Sequence, residues 1–134
     1  MVKLTEDMKA VLNKIRIFPL ATSSKDGTPN VVPIGMLILQ PDNETIWVVD
    51  NYMSKTVANA KENPKVSIYV WDPESPDSYQ IKGSVTVENS GSDYEKAVEF
   101  AHSKKETYPA KNLLKIKITD VYYTTPGPKA GQKI

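Results

Sequence analysis

The chain has 134 residues, a formal net charge of +1 and no cysteine. A single domain over residues 1–134 is expected, since this length suffices for one core. The balanced charge excludes a nucleic-acid-binding block, and no apolar run approaches the roughly 18 residues that a membrane span needs. The lack of cysteine excludes disulfides and thiolate chemistry. Together with a charged N-terminus, it favours a soluble protein of the cytoplasm.

The first predicted element is an amphipathic helix behind a Thr5 cap, because apolar residues recur at i, i+3, i+4 and i+7. Those residues are Met8, Val11, Leu12 and Ile15. A strand over residues 17–23 and a returning strand over residues 30–39 then flank Asp26-Gly27. This pair tolerates the positive φ that hairpin turns require, so the segment predicts a hairpin.

Within the returning strand, Pro33 and Gly35 indicate a bulge or a sheet edge. Proline cannot donate to a hydrogen-bond ladder, and glycine lets another group approach the backbone. A further strand is predicted over residues 45–50, where β-branched and aromatic residues dominate.

A short helix is predicted from Ser54, a good N-cap, to the Asn63-Pro64 stop. It opens with a hydroxyl, the Lys55 ammonium and a second hydroxyl on Thr56. A helix N-terminus presents unpaired N–H groups and a positive dipole end, which suit a phosphate. An ordinary capped helix with an exposed lysine is the alternative that the spacing leaves open.

Strands over residues 66–71, 79–88 and 114–119 follow, the second interrupted by Gly83. Ser92 and Glu95 are spaced as a capping box before a third helix. The tail over residues 124–134 is too rich in Pro and Gly for regular structure. The count is about six strands joined mostly by tight turns. This predicts a mainly β fold, a six-stranded antiparallel sheet curled into a small barrel with three peripheral helices.

The whole chain resembles the pyridoxamine 5′-phosphate oxidase-like family of FMN-binding split barrels, especially its small single-domain and flavin reductase-like members. Four stretches carry the resemblance by their order and spacing. They are residues 20–34, 54–66, 79–85 and 126–128.

The resemblance implies that FMN is the cofactor and that Ser54, Lys55 and Thr56 hold its 5′-phosphate. The returning strand is implied to lie along the flavin ring and ribityl chain, while backbone at the end of the next strand pairs with the ring edge. The residues so implied are Val32, Pro33, Ile34, Gly35, Val49, Asp50 and Asn51. Gln80, on the facing strand, is expected to reach the phosphate or the ring.

The family's members form two-fold dimers with FMN at the interface, so the resemblance implies a homodimer. Trp71, Tyr122 and the tail are candidates for contacts from the second subunit. Arg16 is the sole arginine, and no cluster matches the one that holds pyridoxal phosphate in the oxidases. Vitamin B6 oxidation is therefore not expected.

Three functions stay open at this point. The first is an FMN-dependent oxidoreductase that accepts hydride or electrons, for example from NAD(P)H. The second is a non-enzymatic FMN carrier or electron-transfer protein, and the third is a cofactor-free binding barrel. No side chain is an obvious general acid or base, and the single histidine, His102, has no partner at metal-ligand spacing. No catalytic residue and no metal are therefore predicted.

Overall fold

The computed structural model describes residues 2–134 and contains three helices and seven strands. The helices are α1 (Glu6–Leu12), α2 (Lys55–Glu62) and α3 (Ser92–Lys104). The strands are β1 (Phe18–Ser23), β2 (Pro29–Ile34), β3 (Leu37–Leu39), β4 (Thr45–Asp50), β5 (Lys65–Val70), β6 (Tyr79–Glu88) and β7 (Asn112–Tyr123).

All seven strands form one sheet in the order β2-β1-β5-β6-β7-β4-β3, and every neighbouring pair is antiparallel. Its two edge strands, β2 and β3, are consecutive in the chain, with only Gly35 and Met36 between them. Three Cα–Cα steps reach at most about 11 Å, so the two edges must approach each other at this point. The sheet is therefore curled into the predicted barrel. We call the place where the edges meet the seam.

The prediction of six strands was wrong by one, because the strand expected over residues 30–39 is two strands. β2 pairs with β1 at one edge of the sheet, and β3 pairs with β4 at the other. The chain breaks at Gly35 and Met36 as it passes between the two edges. The expectation of an edge at Pro33 is confirmed, since β2 has a neighbour on one side only.

The barrel interior is filled by side chains that are fully removed from solvent, among them Leu20, Ile46, Ile68 and Ile116. Burying each such side chain contributes about 1.5–3 kcal/mol to folding. Helix α1 packs its apolar face on this core, and the Thr5 cap is confirmed by a 3.3 Å bond from the Met8 N–H to Thr5 Oγ1.

Helix α3 covers a separate apolar cluster through Ala97 and Ala101. The predicted capping box at its start was wrong. The N-cap is Gly91, whose φ of +99° suits only glycine, and no side chain caps the helix. Other predicted bounds also differ: β1 begins at Phe18 rather than 17, β5 spans Lys65–Val70 rather than 66–71, and β7 spans Asn112–Tyr123 rather than 114–119. Helix α1 ends at Leu12, so the predicted Ile15 lies beyond it.

The C-terminal tail lies along the last residues of β7, where β4 no longer pairs with that strand. The Ile134 N–H donates to the Val121 carbonyl at 2.8 Å, and the Tyr123 N–H donates to Gln132 at 2.9 Å. Lys133 forms a 2.8 Å ion pair with Asp120, and hydrogen bonding to Lys133 holds the pKa of that carboxyl below its ordinary value. The tail is irregular, as predicted, apart from a single bridge between Tyr122 and Lys133.

Gly83 allows β6 and β7 to pack closely at a register shift between Lys82 and Gly83. A Cβ at this position would lie 2.5 Å from Ile116 Cγ2 and 2.7 Å from the Lys117 carbonyl oxygen. We predict that Gly83→Ala lowers the free energy of unfolding by about 1–3 kcal/mol through overpacking. Urea unfolding monitored by circular dichroism measures this change.

The matched control is Gly35→Ala, whose Cβ would meet nothing nearer than 3.7 Å. Its midpoint should stay close to that of the unsubstituted protein. Equal stability losses in the two variants would contradict the packing argument.

Candidate functional site

A groove of about 630 Å³ lies beside the seam, between the end of β2, the end of β4 and the start of α2. This volume lies within the usual range for small-molecule sites. We call it the seam groove. It is lined by Asn30, Val32, Pro33, Ile34, Gly35, Met36, Val49, Asn51, Tyr52, Met53, Ser54, Lys55, Thr56 and Tyr108. Its walls are mainly apolar, and its polar groups gather at the α2 end.

Helix α2 enters the seam groove with its N-terminal end uncovered. Ser54 occupies the N-cap position, as predicted, but its side chain makes no capping hydrogen bond. The first turn contains no acidic residue, whereas the first turns of α1 and α3 contain two each. The first residue of the helix is instead Lys55, which lines the groove. This helix end therefore presents free N–H groups, a hydroxyl and a cation together.

A cluster of polar side chains fixes α2 against the β1–β2 hairpin. The Asn30 amide donates to Thr22 Oγ1 and to Thr56 Oγ1, each at 3.1 Å. The Asn59 amide donates to the same Thr22 oxygen at 3.2 Å. Thr56 is only 1% exposed, and a threonine hydroxyl that accepts one bond still has a proton to donate. The cluster orients the start of the helix toward the groove.

The loop between β4 and α2 is held by two acceptor side chains. Asp50 is fully buried, and its carboxylate accepts from the Met53 N–H at 2.8 Å and from the Asn112 amide at 2.7 Å. The Asn51 side-chain oxygen accepts from the Ala110 N–H at 3.0 Å. Asp50 thus shapes the turn from beneath and does not line the groove.

The segment after α3 completes the groove wall with Tyr108. Its conformation is constrained at Ala110, which has a φ of +42° although it is not glycine. This costly geometry is held by the bond to Asn51 and by the Tyr94 hydroxyl, which donates to the Ala110 carbonyl at 2.7 Å. His102 lies within 3.0 Å of the Tyr108 carbonyl through Nε2 and is otherwise exposed.

Most residues implied by the resemblance lie around one groove. Those that line it are Val32, Pro33, Ile34, Gly35, Val49, Asn51, Ser54, Lys55 and Thr56. Gln80 does not, because it lies on the outer face of β6 between Tyr69 and Tyr122. Neither Trp47 nor Trp71 lines the groove.

Five groove residues were not among the predicted site residues: Asn30, Met36, Tyr52, Met53 and Tyr108. Three of them adjoin predicted residues and Asn30 lies two positions before Val32, so extending each predicted segment by two residues would have included these four. Tyr108 lies more than 50 residues from Lys55 in the sequence, and no local pattern distinguishes it from the other tyrosines.

Within residues 2–134, no group of three or more His, Asp or Glu side chains is placed to hold a metal ion. In the same part of the chain, no helix is both long and apolar enough to cross a membrane.

The comparisons with known proteins identify the family. Residues 4–125 match the model of the pyridoxamine 5′-phosphate oxidase family, so the chain belongs to it. The chain is also 36% identical, over 134 residues, to the uncharacterized protein MJ0282 of Methanocaldococcus jannaschii. That match covers 99% of this chain and 89% of the relative.

Solved structures with the same fold include an FMN-binding protein and a heme storage protein. HupZ of Group A Streptococcus superposes with a TM-score of 0.81 at 26% identity, covering 96% of this chain and 99% of HupZ. An FMN-binding protein of Syntrophomonas wolfei superposes with a TM-score of 0.77 at 19% identity, covering 92% of this chain and 86% of that protein. HutZ, the heme storage protein of Vibrio cholerae, superposes with a TM-score of 0.70 at 14% identity, covering 91% of this chain and 95% of HutZ.

Proposed function

We propose that the seam groove binds FMN and that the protein is an FMN-dependent oxidoreductase working in the cytoplasm as a homodimer. The phosphate would dock at the start of α2, against Ser54, Lys55 and Thr56. The observation that carries the proposal is the uncovered N-terminus of α2, which has a lysine where the other two helices have acids.

A cation in the first turn of a helix is unfavourable by itself, because it faces the positive end of the helix dipole. The interaction is typically worth about 0.3–1 kcal/mol. A bound phosphate reverses this effect, since it neutralises both Lys55 and the free N–H groups. The Ser54 hydroxyl, which is not used for capping, is available to the same anion.

The rest of the groove fits the organic part of the cofactor. Val32, Pro33 and Ile34 offer an apolar wall, and Gly35 carries no side chain between the backbone and a ligand. Asn51, held by Ala110, keeps the opposite loop in place. When bound, the flavin ring supplies the hydride or electron transfer, and these residues position it and exclude water. Since no histidine, aspartate or glutamate lines the groove, we assign binding and orientation to the protein's own residues.

Heme is the rival cofactor, because one protein of the same fold is a heme storage protein. A heme iron needs an axial ligand such as histidine, cysteine, methionine or tyrosine. No histidine of the described residues lines the groove, which leaves Met36, Met53, Tyr52 and Tyr108 as the axial ligands it could offer, whereas the start of α2 suits a phosphate. We therefore favour FMN, and titration with hemin tests the alternative.

The proposed dimer would use the outer face of β2, β1, β5, β6 and the last residues of β7, since α3 packs instead on β4 and the start of β7. Large apolar side chains are exposed there or beside it, with Val31 64% and Trp71 54% exposed. Tyr69, Gln80 and Tyr122 form a row across the face. Because Gln80 faces outward, a contact from it to the flavin would be made across this interface.

We predict that reconstitution with FMN gives a yellow protein and that Lys55→Ala binds FMN about tenfold more weakly or worse. The loss corresponds to a charge-assisted bond worth about 1.5–3 kcal/mol. Quenching of flavin fluorescence measures both affinities. Lys61→Ala is the matched control, since Lys61 lies in the last turn of the same helix and outside the groove.

Equal FMN affinities in Lys55→Ala and Lys61→Ala would contradict the phosphate assignment. If the protein stays colourless with saturating FMN and binds hemin tightly, heme rather than FMN is the cofactor.

For the reconstituted protein, we predict that NADH or NADPH bleaches the flavin absorbance and that oxidation of the nucleotide continues over many turnovers in air. This result separates an oxidoreductase from a carrier. A flavin that is reduced by dithionite but by neither nucleotide would favour the electron-transfer alternative.

We predict a dimer in sedimentation velocity and a shift toward monomer in Trp71→Glu and Val31→Glu. Each variant places a charge on the apolar outer face, and burying an unpaired charge is costly. Lys104→Glu, on the exposed last turn of α3, is the control and should remain dimeric. A monomer at micromolar concentration in the unsubstituted protein would refute the dimer.

A further inference from the structure

A second groove, of about 560 Å³, continues from the α2 end of the seam groove. We call it the hairpin groove, since it lies between the β1–β2 turn and α2. It is lined by Ser24, Lys25, Asp26, Thr28, Pro29, Asn30, Lys55, Asn59 and Glu62. Asn30 and Lys55 line both grooves, so the two openings meet where the phosphate is proposed to dock.

The hairpin wall of this groove is polar and hydrogen-bonded within itself. The Thr28 N–H donates to Ser24 Oγ at 3.1 Å and to Asp26 Oδ1 at 3.2 Å, and the Thr28 hydroxyl donates to the same carboxylate at 3.0 Å. The Ser24 hydroxyl also donates to Asp26. The bond from Ser24 contributes most, and together with those from Thr28 it holds the pKa of the Asp26 carboxyl below its usual range. The wall therefore keeps its shape and its charge at neutral pH.

The charges of the hairpin groove are balanced, with Lys25 and Lys55 against Asp26 and Glu62. A long polyanionic tail would meet the two carboxylates and be repelled. An uncharged polar group with several donors and acceptors suits the lining better, for example a nucleoside. The opposite wall offers Asn59, whose amide N–H₂ is turned toward Thr22 at 3.2 Å.

We propose that the site also accepts a flavin dinucleotide, FAD, with its flavin half in the seam groove and its adenosine in the hairpin groove. The inference rests on the proposed function, because it places the first phosphate at α2. The monoester phosphate of FMN carries about −1.5 to −2 charges at neutral pH. The two phosphates of the FAD pyrophosphate carry one charge each, so the total charge presented to Lys55 and Lys25 is almost unchanged. What FAD adds is an uncharged nucleoside, and the hairpin groove is open at that end.

The test compares FMN, FAD and riboflavin by flavin fluorescence in the unsubstituted protein and in Glu62→Trp. Glu62 lines the hairpin groove and not the seam groove, so a tryptophan there fills only the former. The control is Lys61→Trp, the adjacent residue, which lines neither groove. Lys25→Trp fills the groove from its other wall and serves if Glu62→Trp does not fold.

We expect FAD to bind within about tenfold of FMN and to lose about tenfold or more in Glu62→Trp, with FMN affinity retained there. FAD binding more than tenfold weaker than FMN would overturn the inference, and so would FAD binding that neither tryptophan in the groove weakens. Both results leave FMN binding intact. Failure of the proposed function is different, because neither flavin nucleotide would then bind more tightly than riboflavin.

Discussion

The structure depends on the constraint that two residues, Gly35 and Met36, join the opposite edges of a seven-stranded sheet. Strands that begin and end the sheet are thereby forced to meet, and the sheet must curl. The chain then has no spare length with which to cover the seam. A groove remains beside the seam, and its strand walls are the ends of β2 and β4, which are held by their pairing with β1 and β7. The site is thus a consequence of closure, and its apolar walls continue the packing of the barrel.

The polar end of the groove has a different origin. Helix α2 crosses from β4 to β5, and its orientation is set by the amide of Asn30, which reaches Thr56, and by that of Asn59, which reaches Thr22. These bonds connect the helix to the hairpin through protein groups alone. The helix end is consequently preorganised, and an anion that binds there need not pay for ordering the loop. The buried carboxylate of Asp50 has the same effect on the preceding turn.

The sequence was most informative where one local pattern decides the structure. Thr5 and the apolar spacing after it predicted the start of α1, Asp26-Gly27 predicted the hairpin, and Pro33 with Gly35 predicted a bulge or a sheet edge, of which the edge is found. Expectations failed where distant partners decide. The strand over residues 30–39 read as continuous, because nothing local shows that its two halves pair at opposite sheet edges. Ser92 is a good cap in isolation, but Asp93 beside it bonds Lys115 of β7, and Gly91 takes the cap position.

The same distinction applies to the site. Ser54, Lys55 and Thr56 are adjacent in the chain, so their convergence on one helix end could be foreseen. Gln80 could not be placed, because alternation along β6 puts it on the outer face while the groove lies at the seam. Tyr108 lies in the segment that the bond from the Ala110 N–H to Asn51 holds in place. The positive φ of Ala110 in that segment could not be foreseen, because alanine rarely adopts it.

The tail adds one more consequence. Beyond Lys117, β4 no longer pairs with β7, so without the tail this side of β7 would have unpaired amide and carbonyl groups with which another strand could pair. The bonds from Ile134 to Val121 and from Tyr123 to Gln132 occupy that flank. Residues 132–134 therefore block the addition of a strand from another molecule, which unpaired strand edges otherwise favour.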